Sequence, residues 1–387
     1  MDFKGKKVLL LDGFGRQIAS ILTQLKRLGC RVTTMNASRL DIGYSSRYPK
    51  KRIVVKGIRT DTDIYREAIR KALSEEKYDI VFPVIERSTE IIHELNDNGE
   101  LGEAKFVAAP KDSFEKAYDK QKTMTICMEN GIPCPITKLD NETLEEYLSK
   151  VSFPLACKPR KGSGGAGFKK VNDMDELQKY IDDGTIRIEE YVIQEYIPQT
   201  EHMNNCYVML DDNQNPIYSV AIETCRWYPI DGGPGCYGRT IDKPLINESA
   251  IKLLQAMEWS GFGQVSFMVD PRDGMPKVSE INGRISAGIK MMDLVGCTPV
   301  KYMLERAYGE PLEPIKHKIP VGQGLRYFHT DILWFLKSPD RFKRNPSWFN
   351  FRRSKDYVFS WRDPIPFFTY TIEHMFTYKK DMDKRKH

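Results

Sequence analysis

Residues Phe153–Val171 read FPLACKPRKGSGGAGFKKV. A short apolar run ends at Lys158, a glycine-rich segment follows, and a second run closes at Val171, a pattern that predicts two strands joined by a flexible loop. The backbone N–H groups of Ser163, Gly164, Gly165 and Gly167 can approach a polyphosphate closely, because few side chains obstruct them. Lys158, at the end of the first strand, can place an ammonium on the same phosphates. Gly162 and Gly167 have the glycine spacing of a Walker A loop, but Phe168 stands where that motif needs its lysine. A segment of this kind is also compatible with a plain surface turn, so its meaning depends on what surrounds it.

Upstream, a helix is expected over Phe114–Asn130, ending at Gly131, with Asp119-Lys120 inside it offering a second cation. The first hundred residues alternate short apolar runs with helical stripes. Lys7–Asp12 (KVLLLD) has the composition of a buried strand, and Ile18, Ile21, Leu22, Leu25 and Leu28 recur at helical spacing. Such alternation predicts an open parallel sheet with helices on both faces. Gly13-Phe14-Gly15 follows the first strand, yet the third glycine of a dinucleotide fingerprint falls at Ile18, which argues against a nicotinamide site.

Downstream, QEYIPQTE (Gln194–Glu201) places Glu195 and Glu201 about one strand apart. Main chain at Glu195–Ile197 can pair with a base edge, and Glu201 can accept from ribose hydroxyls; solvated surface charge is the plainer alternative for each carboxylate. Two strands flank Asp273-Gly274, a strong hairpin signal. The second runs into SEINGR, where Glu280, Asn282 and Arg284 occupy alternate positions and so one face of a strand. A carboxylate and an amide oxygen beside an arginine suit Mg²⁺ shared with phosphates, since hard cations take oxygen ligands; a structural Glu–Arg salt bridge is the alternative. Arg226 and Arg239 flank the glycine-rich Asp231–Gly238 stretch and suit an anionic substrate. From Glu310 onward the sequence reads as irregular.

Composition narrows the function. The 387 residues carry 59 Lys and Arg against 53 acidic residues. Residues 331–387 hold 13 basic and 7 acidic side chains, which accounts for the whole surplus, together with 14 of the 42 aromatics. A globally basic nucleic-acid binder is thereby excluded. The eight cysteines include no C-x-x-C pair, which argues against a zinc site or disulfide scaffold. No apolar run reaches membrane-spanning length, and Val8–Leu11 is too short for a signal peptide; a cytoplasmic protein is expected.

In their order, DK (Asp119-Lys120), GIPCP (Gly131–Pro135), the Phe153–Gly167 stretch, QEYIPQTE and EINGR resemble the ATP-grasp superfamily, and within it the carbamoyl-phosphate-synthetase-like branch of carboxylate–amine ligases. GFGRQIASILTQLKRLGCRV (Gly13–Val32) and SSRY (Ser45–Tyr48) are similar to the domain that precedes the ATP-binding lobes in that group. The resemblance implies an α/β chain: a Rossmann-like parallel-sheet domain (1–112), a small lid lobe with its linking helix (113–198), a large lobe (199–310) and a basic, aromatic extension (311–387). It also implies ATP clamped between the lobes. Lys120 and Lys158 would meet the phosphates under the Ser163–Gly167 lid, Glu195 and Ile197 would hold adenine, and Glu201 the ribose. Glu280 and Asn282 would hold Mg²⁺, and Arg284 would meet the transferring phosphate. The implied reaction activates a small-molecule carboxylate as an acyl phosphate for attack by an amine, with ADP and phosphate released. One position departs from the pattern: Ser266 stands where the family places a second, usually acidic, metal ligand. That departure keeps a non-catalytic ATP-binding module as the alternative. The extension is expected to pack back on the core with its aromatics buried and its Lys and Arg solvated, in preference to lying on a membrane surface or stacking on nucleic acid.

Overall fold

Lys7–Leu10 forms the central strand of a five-stranded parallel sheet, ordered Lys51–Val54, Arg31–Asn36, Lys7–Leu10, Ile80–Phe82, Lys105–Phe106 in a computed structural model that describes residues 1–162, 167–198, 203–230 and 233–383. Val8 and Leu10 point into one core with Ile18, Ile21, Leu22 and Leu25 of the helix Ile18–Arg27. Leu9 and Leu11 point into another with Tyr65, Ile69, Ile91 and Ile92. A strand covered on both faces is continuously apolar, as this one is. At its end Asp12, fully buried, accepts hydrogen bonds from Tyr65 Oη (2.7 Å), Ser88 Oγ (2.6 Å), Val84 N (2.9 Å) and Ile85 N (3.2 Å). Burial pushes its carboxyl upward, and these four bonds oppose the shift.

The helix expected over Phe114–Asn130 is two helices, Lys111–Tyr118 and Lys120–Glu129. Asp119 between them leaves helical geometry (φ −92°, ψ 107°), and its carboxylate caps the second helix by accepting from the Gln121 and Lys122 amides. The break puts Lys120 at a helix start, where its amide bonds the Arg160 carbonyl across to the glycine-rich hairpin (2.9 Å).

The small lobe is a three-stranded antiparallel sheet with Leu155–Pro159 in the centre, Lys169–Val171 on one side and Tyr191–Glu195 on the other. The large lobe is a seven-stranded sheet in the order Pro276–Asn282, Gly261–Val269, Met203–Leu210, Pro216–Trp227, Gly235–Thr240, Gly324–Arg326, Ser354–Asp356. One of its faces (Cys206, Val208, Val265, Phe267) packs on the helices Pro244–Ala256 and Lys120–Glu129; Tyr207 and Met209, on the other, join the core shared with the first domain. The last two strands correct the expectation of an irregular region from Glu310. The extension contributes Gly324–Arg326 and Ser354–Asp356 to this sheet, with the helices Phe328–Lys337 and Ile365–Asp383 beside them. All eight cysteines are free, and all but the half-buried Cys134 are buried. Among the described residues no helix is long and apolar enough to cross a membrane.

Candidate functional site

Lys158 is the last residue but one of the central small-lobe strand, and its ammonium donates to the Ser279 carbonyl (3.1 Å), one residue from Glu280 on the large lobe. Lys120 donates to the Gly162 carbonyl (2.6 Å) at the foot of the glycine-rich loop. Glu280 acts electrostatically on both lysines, and no described residue forms an ion pair or hydrogen bond with its carboxylate. Burial pushes Lys158 down to about 8, against the pull of Glu280 and with a smaller push from Lys120. Burial likewise lowers Lys120. Three charged groups from three separated stretches of chain therefore face one cleft, with two cations answered by carbonyls rather than by carboxylates. A polyanion satisfies such an arrangement.

Arg284 extends the cleft toward the first domain. Its Nε pairs with Glu86 Oε1 (2.9 Å), and the Ile285 amide next to it donates to the Val84 carbonyl (3.2 Å). Both partners sit in the turn that Asp12 holds, so the buried carboxylate at the end of the first strand positions Arg284 through Glu86.

Ser266 lies directly opposite Glu280 in the hairpin ladder, and Gln264 opposite Asn282. Asn205, on the neighbouring strand, accepts from Ser266 Oγ (2.9 Å) and from Gln264 Nε2 (2.8 Å), and Asn282 Nδ2 donates to Ser266 Oγ (3.4 Å). A neutral amide–hydroxyl network thus stands beside Glu280. No group of three or more His, Cys, Asp or Glu able to hold a metal occurs among the described residues. The donor set fits one hard cation held by the Glu280 carboxylate and the Asn282 amide oxygen, with phosphate oxygens completing its shell.

Other expectations are met differently. The Glu195 carboxylate accepts from Arg272 (2.6 Å), Lys277 (3.1 Å) and the Ile136 amide (3.0 Å), which tie the small lobe to the hairpin Asp270–Lys277. These partners hold it below the usual carboxylate range despite burial. Its side chain is therefore structural, and only the main chain remains for a base; no described group accepts from the Ile197 N–H. Gly167 has φ +75°, and a Cβ there would lie 2.7 Å from Pro159 Cγ, so the loop returns to its strand only through glycine. Ser163, Gly164, Gly165 and Glu201 lie outside the described residues.

Arg226 is a correction. It is fully buried, pairs with Asp331 through two nitrogens (2.6 and 3.1 Å), donates to the Pro346 carbonyl (2.8 Å) and lies 4.0 Å from the Tyr237 ring centroid. It fastens the extension to the sheet and presents no guanidinium to a substrate. Arg239 pairs with Glu223 (2.9 Å) and lines a polar cleft with Cys225, Lys343 and Arg344, at the seam with the extension.

Arg16, directly after Gly13–Gly15, belongs to no motif that marks it in the sequence. Its guanidinium lies over the rings of Tyr327 (4.6 Å) and Tyr357 (4.9 Å), and no described residue forms an ion pair or hydrogen bond with it. Arg16 and Arg284 both act electrostatically on the buried Tyr207 phenol. Lys290 is close by and, among the described residues, donates only to the carbonyls of Tyr357 (3.2 Å) and Phe359 (3.4 Å); burial pushes it down to about 8.

The profile of the carbamoyl-phosphate synthase L chain, ATP binding domain, matches residues 111–315. The chain is 22% identical over 284 residues to the carbamoyl phosphate synthase large chain of Methanothermobacter thermautotrophicus, covering 69% of this chain and 25% of that protein. The chain thus spans about a quarter of the length of that relative. Among solved structures it is similar to biotin carboxylase from Campylobacter jejuni in complex with β,γ-ATP (TM-score 0.67, 18% identity, 83% of this chain and 75% of the other). It is also similar to an L-amino acid ligase from Bacillus licheniformis (TM-score 0.61, 18% identity, 83% and 79% covered).

Proposed function

Because the chain belongs to the family defined by the carbamoyl-phosphate synthase L chain ATP-binding domain, we propose that it is an ATP-dependent ligase that phosphorylates a small-molecule carboxylate and passes the acyl group to an amine, releasing ADP and phosphate. The observation that carries this reading is the convergence on one cleft of Lys120, Lys158 and Glu280, the last without a partner among the described residues. A carboxylate is a poor electrophile, and its acyl phosphate is a good one. Making that intermediate needs charge neutralisation and alignment rather than a side-chain nucleophile. Lys158 and Lys120 hold the phosphates, and main chain near Ile197 takes the base. Arg284, braced by Glu86, meets the phosphate in transfer. Glu280 and Asn282 would hold Mg²⁺, which would supply further neutralisation of phosphate charge.

The carboxylate acceptor is assigned to the space that Arg284 and Arg16 share around Tyr207, replacing Arg226 in that role. Arg16 supports the assignment because it is a stacked guanidinium with no anionic partner among the described residues. The test is an ADP-release screen with Mg²⁺ over amino acids, small peptides, sugar acids and polyamines, with Lys158→Ala as the control. A substrate pair that drives ADP release in the parent and not in the control supports the ligase. ATP binding without ADP release across the panel supports the second reading, a regulatory ATP-binding module, which the neutral Ser266–Asn205 network beside Glu280 favours.

A further inference from the structure

The extension was expected to bury its aromatic residues, and it does so only in part. Tyr327 and Trp334 are buried against the large lobe, whereas Trp361 is 88% exposed, Phe342 70%, and Leu336, Phe349 and Phe351 are exposed as well. These side chains are not scattered. Phe342 touches Phe335 (5.5 Å between ring centroids), Phe335 touches Trp348 (4.6 Å) and Phe349 (5.6 Å), and Trp348 touches Phe351 (5.2 Å). Phe328 bridges Trp348 (6.4 Å) to Phe367 (6.3 Å); Phe367 touches Phe359 (5.5 Å), and Phe359 touches Trp361 (4.9 Å). One chain of ring contacts runs from Phe342 to Trp361.

The helix Ile365–Asp383 continues it. Its inner face is anchored: Thr371 bonds His329 (2.6 Å), Thr369 bonds Ser45 (2.8 Å), and Glu373 pairs with Arg59. On its outer face Ile365, Phe368, Ile372 and Met375 follow one another at three, four and three residues, the spacing of a single helical stripe, and all are exposed, Met375 by 75%. Exposed apolar side chains linked by ring contacts in this way mark an interaction site. In the same stretch of chain Lys337, Arg352, Arg353, Lys355 and Arg362 are exposed.

We infer that this face docks on an anionic lipid bilayer, with the aromatic ridge and helix stripe entering the headgroup region and the basic side chains meeting lipid phosphates. Three observations choose lipid over other occupants. The exposed cations would repel one another across a symmetric contact with a second copy. Leu336, Ile365, Ile372 and Met375 are aliphatic and offer no stacking platform to a nucleic-acid base. The Trp and Phe side chains with adjoining Arg and Lys have the composition of an interfacial anchor. The inference does not rest on the ligase reading, because none of these side chains belongs to the ATP cleft.

Co-sedimentation of the full chain with phosphatidylcholine vesicles, and with the same vesicles containing phosphatidylglycerol, tests it at low and high salt. Binding is expected to the anionic vesicles only and to fall as salt rises. Arg352→Gln/Arg353→Gln should weaken it roughly thirtyfold, at about 1 kcal/mol for each arginine. Phe342→Ser/Phe349→Ser/Trp361→Ser should weaken it roughly tenfold or more, with thermal unfolding followed to confirm that the variant is folded. Equal binding to neutral vesicles, or none to either kind, overturns the inference. So does sedimentation equilibrium showing a dimer that the triple variant abolishes while vesicles bind nothing. Should the triple variant fail to fold, the lipid-charge and salt dependences of the parent protein still decide the matter.

Discussion

Lys158 is half-buried and Arg226 fully buried, and the two cations are treated in opposite ways. Arg226 has every part of its charge answered: a two-nitrogen pair with Asp331, the Pro346 carbonyl and the face of Tyr237. Lys158 is given one backbone carbonyl, and Glu280 opposite it has no partner among the described residues. A buried charge with a full set of partners is part of the fold, whereas one left half-answered costs stability until something else completes it. The difference separates the seam of the extension from the cleft, and it can be broken from either side.

The larger effect is expected at the seam. Arg226→Ala leaves the buried Asp331 with the longer pair to Arg326 (3.4 Å) in place of the two-nitrogen one, which should lower the free energy of unfolding by about 3 kcal/mol in urea titration. A variant of unchanged stability with a raised KM for one substrate would return Arg226 to the substrate site. At the cleft, Lys158→Ala should reduce ADP release roughly 10²–10³-fold, the scale for removing one preorganised group that meets developing charge. Its urea midpoint should stay level or rise, because an incompletely paired, half-buried cation is removed. Full activity in that variant would end the assignment of Lys158 to the phosphates.

Much of the cleft was legible because its residues follow short periods. Glu280 and Asn282 lie two apart on the strand Pro276–Asn282, so their common face follows from pleating, whereas Arg284 lies two residues beyond the strand end and owes its place to Glu86. The hairpins around Gly162–Gly167 and Asp273-Gly274 carry their own turn residues. The five-stranded parallel sheet was legible for the same reason: continuous apolar runs separated by helical stripes. What escaped notice depends on partners far away in the sequence. Asp331 lies 105 positions from Arg226, and Lys277 lies 82 from Glu195. Arg16 is given its setting by Tyr327 and Tyr357, more than 300 residues on. The helix break at Asp119 is invisible in a stripe that continues across it, although an aspartate ahead of Lys120 is the cap such a break needs. The strands Gly324–Arg326 and Ser354–Asp356 have three residues each, too few to display a period.

The half-answered state of Lys158 also predicts a pH dependence. Burial favours the neutral amine and brings the group down to about 8. Binding a triphosphate favours the ammonium, so ATP binding takes up a proton at alkaline pH. Below about 8 the lysine is already charged and affinity is flat; above it, KM for ATP should rise by up to about tenfold per pH unit. Lys158→Arg, which keeps its charge throughout, should flatten that limb in a KM–pH profile. A profile unchanged by the substitution would place the titration elsewhere.

The smallest effect concerns the neutral side of the cleft. Ser266 faces Glu280 across the ladder, and its hydroxyl is already engaged with Asn205, so the position adds no charge to a bound cation. Ser266→Glu would supply a second carboxylate in the same register, at the cost of one hydrogen bond to Asn205. Added negative charge beside Glu280 should tighten Mn²⁺ binding in the presence of ATP by roughly tenfold, the scale on which altered metal surroundings change affinity. Titration calorimetry would measure that without turnover, and a mutant that also gains ADP release would show that the neutral network had been limiting catalysis. If Mn²⁺ affinity stays unchanged, the Ser266 side of the hairpin does not border the ion. Glu280 and Asn282 would then have to hold the cation with phosphate oxygens alone.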